Sequence, residues 1–261
     1  MLKNDALKGL QQQNFKDILV RMDAIPGWEI LEHDDLLALK APSPIPLVNM
    51  VWGVGSDLNL QAVKQFYNGS DFFWHIADDQ KTNLPNITSN IFAKHDEHSY
   101  FPEMLMDLNN YVKLIISSKI RIALVNSSEE LQLWTETAIA TFGFAEAEFK
   151  EFFYPLIQIA GCTPFLIYYD NEPAATAMVY CGKEIAGIYA MSTKVEFRRK
   201  GLGSAAVHAC VALALDQQLN YTVLYASELG QLLYKQLGFK VTQMLHEYNF
   251  KDNHLCCQVL F

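Results

Sequence analysis

Arg198, Gly201 and Gly203 fall at Arg-x-x-Gly-x-Gly spacing in a stretch, Met191 to Ser204, that reads Met-Ser-Thr-Lys-Val-Glu-Phe-Arg-Arg-Lys-Gly-Leu-Gly-Ser. Residues of these types in this order can cradle a pyrophosphate. Glycine has no Cβ, so the chain can turn sharply there and bring its amides against phosphate oxygens. The helix predicted next, Ser204 to Asp216, begins with N–H groups that have no partner inside the helix and gather partial positive charge, so an anion is stabilised at its start. The chain has four arginines among its 20 basic residues, and two of them, Arg198 and Arg199, lie here beside Lys194 and Lys200. Against a formal net charge of −9, that clustering marks an anion site. A dinucleotide-binding turn would need a third glycine where Ala206 stands. A P-loop would need Gly-Lys-Ser/Thr, which does not occur.

The elements that hold this loop are readable on both sides of it. Glu184 to Thr193 is short, apolar and preceded by the turn-like Cys181-Gly182-Lys183, which predicts a buried central strand. Tyr221 to Ala226 predicts another, and Ser227 to Phe239 a helix after it, ending Leu233-Tyr234-x-x-x-Gly238-Phe239. The first motif resembles motif A of the GCN5-related N-acetyltransferases (GNAT), which read Gln/Arg-x-x-Gly-x-Gly/Ala at the coenzyme A pyrophosphate. The Leu-Tyr-x-x-x-Gly-Phe ending resembles motif B of the same family.

Further upstream, Ile120 to Val125 predicts a strand, and Ser127-Ser-Glu-Glu130 a capping box opening a helix through about Phe142. A helix over about Ala145 to Ile159 carries the stripe Phe149, Phe152, Phe153, Leu156, Ile157. Strands Thr163 to Tyr169 and Ala174 to Tyr180 flank the turn Asp170-Asn-Glu-Pro173, and Lys240 to Phe250 and Leu255 to Phe261 read as closing strands. The resulting order, β-α-α-β-β-β-α-β-α-β-β, resembles the acetyltransferase family across 119–261. It implies an α/β fold with a mixed sheet, and two domains, 1–118 and 119–261, with catalysis in the second.

The first half reads as a smaller, degenerate copy of the same pattern. Gly53-Val-Gly55-Ser56 repeats Gly201-Leu-Gly203-Ser204, and a periodic helix (Leu58 to Tyr67) and a strand (Phe72 to Ala77) follow in the same order. Met104-Leu-Met-Asp-Leu-Asn109 echoes Met244-Leu-His-Glu-Tyr-Asn249. Met50, Val51 and Trp52 stand where basic residues would be, so this copy is not expected to hold coenzyme A.

Composition narrows the class further. At 261 residues and 51% hydrophobic content the chain supports one large or two modest cores. The start, Met1-Leu-Lys-Asn-Asp, is charged, and no run approaches the roughly 18 apolar residues of a membrane span. A cytoplasmic protein without a membrane partner is therefore expected, and the acidic balance argues against nucleic acid. Five cysteines without a Cys-x-x-Cys spacing point neither to a disulfide framework nor to zinc, and no metal is expected. His95-Asp-Glu-His98 has a metal-like spacing but lies in a polar, loop-like stretch without an obvious third ligand. No serine or cysteine sits in a nucleophile-elbow context.

The family resemblance implies acetyl-CoA as cosubstrate and an N-acetyltransferase that moves the acetyl group to a primary amine, of a small molecule or a peptide, by direct attack in a ternary complex. The alternative is a coenzyme A-binding sensor or scaffold without turnover. Carried over position by position, the resemblance puts the pantetheine arm and acyl oxygen on the strand end Met191, Ser192 and Thr193. It puts the pyrophosphate on Arg198, Arg199, Lys200, Gly201, Leu202, Gly203 and Ser204, with further cofactor contacts from Ser227, Gly230 and Tyr234. Tyr234 matches the motif B tyrosine that protonates the leaving thiolate. The general base is open: Glu184, at the outer end of its strand, is a weak candidate, beside Tyr189, His246 and Glu247. The acceptor has no readable motif.

Overall fold

The computed structural model describes residues 4–33, 36–43, 48–53, 57–81, 98–143 and 145–250. In chain order the elements are α1 (Asn4–Val20), β1 (Glu29–His33), β2 (Leu36–Lys40), β3 (Met50–Trp52), α2 (Asp57–Tyr67), β4 (Phe72–Ala77), α3 (Asp78–Lys81), β5 (His98–Asp107), β6 (Ile120–Leu124), α4 (Ser128–Phe142), α5 (Glu146–Gln158), β7 (Cys162–Tyr169), β8 (Glu172–Cys181), β9 (Ile185–Thr193), α6 (Leu202–Asp216), β10 (Tyr221–Tyr225), α7 (Glu228–Gln236) and β11 (Lys240–Phe250). No helix among the described residues is long and apolar enough to cross a membrane.

Local chemistry accounts for many of the boundaries. Ser127 caps α4 as a capping box: its Oγ accepts the Glu130 N–H at 3.1 Å while Glu130 Oε2 accepts the Ser127 N–H at 3.1 Å. Gly143 ends that helix at φ +74, a left-handed conformation that costs glycine nothing. The β7–β8 hairpin turns on Asp170 and Asn171, both at positive φ, as a tight hairpin with the right-handed strand twist requires. In α5, Phe149, Phe152, Phe153 and Leu156 are buried, with Phe149 and Phe153 against Trp134 of α4.

The described chain forms two compact units: residues 4–18 with 103–242, and residues 19–102 with 243–250. These are not the continuous stretches 1–118 and 119–261. In unit one the strand order is β5-β10-β9-β8-β7-β6, with β9 and β10 parallel and the other described pairings antiparallel. In unit two it is β1-β2-β3-β4-β11, with β3 and β4 parallel and their neighbours antiparallel. Each parallel pair is joined by one crossover helix, α6 in unit one and α2 in unit two, since parallel strands cannot be joined by a tight turn. The repeat read from the sequence is thus a repeat of structure. Each sheet is closed by a strand from the other half of the chain: β5 pairs with β10, and β11 pairs with β4. The echoing segments at 104–109 and 244–249 overlap these two closing strands.

One face of the unit-one sheet packs Ala175, Ala177, Val179, Ala186 and Ile188 against Ala205, Ala206, Ala209 and Cys210 of α6. The small side chains let helix and sheet approach closely; replacing Ile188 by Ala would cost about 2–5 kcal/mol. The other face carries Leu105, Ile185 and Val223, with Leu10 of α1 packed on them. Helix α1 has no counterpart among the sequence-based expectations. Its buried stripe mixes Phe15, Ile18 and Leu19 with Gln11 and Asn14, and the amides obscure the apolar period. The predicted strand Leu255 to Phe261, with Cys256 and Cys257, lies outside the described residues, as do Gly55, Ser56 and residues 95–97.

Candidate active site

The turn between β9 and α6 is built by backbone conformation. After a 3-10 turn over Val195–Phe197, Arg199 adopts φ +63 and Gly201 φ +83, and Gly201 is the N-cap of α6. The glycine at 201 is required by its φ, since a Cβ there would meet only Ile120 Cδ1, at 3.8 Å. At Gly203 the constraint is space: a Cβ would come within 2.7 Å of Leu233 Cδ2 on α7.

The start of α6 is open to an anion. The Gly201 carbonyl accepts its bond from the Ala205 N–H at 3.0 Å, which leaves the N–H groups of Leu202, Gly203 and Ser204 ahead of the first intrahelical bond. No side chain caps α6, and its first turn has no acid. By contrast, α4 and α7 are capped by Ser127 and Ser227 and carry Glu129, Glu130 and Glu228 in their first turns. Arg198, Arg199 and Lys200 are exposed around this start. Arg198 Nε donates to the Thr193 carbonyl at 3.3 Å, and Lys200 Nζ lies over Tyr169 and Phe197, 4.7 and 4.8 Å from the ring centroids.

Beside the turn, the two parallel strands part. They pair at Tyr221↔Ile185, Thr222↔Ala186 and Val223↔Gly187, after which β9 continues along β8 and β10 along β5. A bulge in β9 accompanies the divergence: Thr176 faces Ser192 and Met178 faces Tyr189, so Ala190 and Met191 both oppose Ala177. Ala190 takes φ +50 there, and Thr176 Oγ1 donates to its carbonyl at 2.8 Å. Lys194 N–H bonds to the Ala174 carbonyl at 3.0 Å. Hydrogen-bonded pairs alternate along an antiparallel ladder, so the Thr193 N–H and C=O are directed away from β8. The opening thus offers backbone groups to an extended ligand.

Tyr234 is 6% exposed and sits edge-on to Phe239 in the α6 core, with ring centroids 5.7 Å apart. Burial, and secondarily Cys210, drives its pKa far above the ordinary phenol value, so its hydroxyl keeps its proton at neutral pH. Ser227 Oγ accepts the Gly230 N–H at 3.2 Å as the α7 cap. At Gly230 a Cβ would come within 2.7 Å of Tyr234 Cε2, so the glycine leaves room for that ring.

The base candidates do not converge on the opening. Glu184 is exposed and precedes the remote end of β9, six residues or about 20 Å of strand from Ala190. Tyr189 is half-buried and donates to Asn14 Oδ1 at 2.6 Å, and desolvation raises its pKa well above the phenol range, so it serves as a donor and not as a base. His246 and Glu247 belong to unit two, where they bond Asp78 at 2.6 Å and His75 at 3.1 Å. A carboxylate not foreseen from the sequence is brought in instead. Glu103 on β5 is fully buried, and its Oε1 accepts the Tyr225 hydroxyl at 3.2 Å. The signal for it was one acid inside the apolar run Phe101-Pro-Glu-Met-Leu-Met.

Residues 130–239, which span α4 to the end of the α7 turn and contain the cradle, the bulge and Tyr234, match the acetyltransferase (GNAT) family. Solved structures of similar fold include a GCN5-related N-acetyltransferase from Kribbella flavida, with TM-score 0.71 and 16% identity over 93% of this chain and 95% of that one. Another, from Sphaerobacter thermophilus, has TM-score 0.65 and 12% identity over 92% and 86%. A tandem GNAT protein from the clavulanic acid biosynthesis pathway has TM-score 0.58 and 9% identity over 95% and 97%. At such identities the likeness is one of fold. No curated protein matches the chain significantly. The paired crossover units agree with the fold of the tandem neighbour, and residues 130–239 match the acetyltransferase (GNAT) family.

Proposed function

We propose that this protein is an acetyl-CoA-dependent N-acetyltransferase that acetylates a primary amine by direct attack in a ternary complex, with its active site in unit one. The observation that carries this reading is the uncapped, acid-free start of α6 beside the point where β9 and β10 part. In this reading Arg198, Arg199, Lys200 and the amides of Leu202, Gly203 and Ser204 hold the pyrophosphate. Cations and oriented N–H groups suit a dianionic diphosphate. Met191, Ser192 and Thr193 orient the pantetheine arm through the exposed edge of β9. Acetyl-CoA supplies an activated thioester carbonyl. Tyr234 holds a proton at its hydroxyl throughout the neutral range and serves as the donor to the departing sulfur. Ser227 and Gly230 act through the placement of α7 and of that phenol.

A coenzyme A sensor without turnover is the second reading, and the burial of Tyr234 among core side chains favours it. Both readings need the cradle; only the enzyme needs the phenol.

Calorimetric titration of acetyl-CoA into the wild type and into an Arg199→Ala, Gly201→Asp double variant tests the site. Aspartate tolerates the left-handed conformation better than most residues and places a carboxylate in the cradle. Removing charged contacts worth about 1.5–3 kcal/mol each should weaken binding tenfold or more. Wild-type protein that is folded and does not bind acetyl-CoA would sink both readings.

A further inference from the structure

Three side chains stand at one level on adjacent strands of unit one: Glu103 on β5, Tyr225 on β10 and Tyr189 on β9. Glu103 and Tyr225 are register partners, and Tyr225 and Tyr189 each lie two residues past Val223↔Gly187, the last pair joining β10 to β9. Met104, Leu224 and Ile188 belong to the α6 core. Alternation along each strand therefore puts Glu103, Tyr225 and Tyr189 on the other face, the one that α1 covers. Phe15 of α1 touches both tyrosines, with ring centroids 5.5 Å from Tyr189 and 6.4 Å from Tyr225.

One helical turn before Phe15 stands Gln11, 2% exposed, and neither the oxygen nor the nitrogen of its amide has a hydrogen-bond partner among the described residues. A buried amide left unsatisfied costs stability, and native proteins nearly always supply a partner. Asn14, one turn along the same helix, shows the ordinary arrangement: it donates to the Ile185 carbonyl at 2.9 Å and accepts from Tyr189. The donor and the acceptor of the Gln11 amide are thus both unused among the described residues.

We propose that Glu103, Gln11, Phe15, Tyr189 and Tyr225 form the acceptor subsite, which takes a compact primary ammonium compound bearing a neutral hydroxyl or amide group. A buried carboxylate flanked by aromatic rings attracts an ammonium. The glutamine amide both donates and accepts, which matches a hydroxyl or an amide. A carboxylate on the acceptor would meet Glu103 at close range and be repelled. The divergence of β9 and β10 puts this cluster beside the opening assigned to the thioester. The inference rests on the acetyltransferase reading.

The test is an NMR titration of the purified chain with propanolamine, n-butylamine and γ-aminobutyrate, each with and without saturating coenzyme A. Propanolamine should bind best and γ-aminobutyrate about tenfold worse or more. Glu103→Gln should weaken both amines about tenfold or more. Gln11→Leu should abolish the preference for propanolamine over n-butylamine while raising the melting temperature of the ligand-free protein, because it removes an unsatisfied amide. The proposal is overturned if the folded wild type binds no amine, or if Glu103→Gln leaves amine affinity within about twofold. Should Glu103→Gln not fold, a propanolamine preference that persists in Gln11→Leu overturns it alone. Coenzyme A binding read in the same samples separates the two ideas: intact cofactor binding with Glu103-independent amines rejects only the subsite, while absent cofactor binding rejects the enzyme reading.

Discussion

Tyr234 is held by the packing of its ring and Gly201 by its backbone conformation. Tyr234→Phe removes one hydroxyl and leaves the ring against Phe239, so the fold and acetyl-CoA affinity should be kept while kcat drops by about 10²-fold, the usual contribution of a general acid. Unchanged turnover across the pH range in steady-state assays would remove the acid role and leave a packing tyrosine. Gly201→Ala has open space for its methyl and an unfavourable φ, so it should cost about 1–2 kcal/mol in urea unfolding without displacing neighbours. Gly203→Ala instead drives a methyl toward Leu233 Cδ2 and should force that half-buried side chain to turn aside. The turn before α6 was legible at this scale because its parts are local: glycines, cations and a helix start lie within one stretch of chain. Glu103 was not, because one acid in an apolar run says nothing of Tyr225, 122 residues away.

At the scale of elements, the bulge in β9 is the feature on which the opening depends. Ala190 holds a left-handed conformation inside a strand, which a small residue tolerates and a β-branched one does not. Ala190→Val should either destabilise unit one by about 2 kcal/mol or regularise the β8–β9 ladder, and in both cases acetyl-CoA affinity measured by calorimetry should fall. Ala190→Gly, free of the Cβ penalty, should leave affinity and melting temperature close to wild type. The strands and helices of 120–250 followed from period and capping, with α6 starting at Leu202, two residues before its predicted Ser204. The bulge carries no such mark, since Tyr189-Ala-Met-Ser reads as ordinary strand and only pairing with Thr176 and Met178 reveals the extra residue.

At the scale of the molecule, the exchanged closing strands make the halves interdependent. A fragment 119–261 lacks β5 and α1, so the edge of β10 and the face bearing Ile185 and Val223 would be exposed. It should be insoluble or lack a cooperative melting transition when expressed alone, whereas a soluble, cooperatively folding fragment would show that β5 is dispensable. Buried phenols shape the alkaline limit. Burial raises the pKa of Tyr67, Tyr189, Tyr225 and Tyr234. With the folded value above the unfolded one, the native state keeps its protons longer, so this contribution is whole below pH about 10 and is lost as pH rises further. Urea midpoints should therefore hold up to pH about 10 and decline beyond it, with tyrosinate absorbance appearing together with unfolding.

By itself the amino-acid sequence determined the glycine-bearing basic turn before α6, the order of elements through residues 120–250 and the repeat of that pattern in the first half. Each of these rests on interactions within a turn, a helix or a strand, and so on residues near one another in the chain. The tertiary structure decided which strand closes which sheet, where α1 lies, and which acid is buried beside the opening. Those outcomes depend on pairing between segments more than a hundred residues apart, such as Tyr225 with Glu103 and His75 with Glu247, and no local propensity encodes such a pairing.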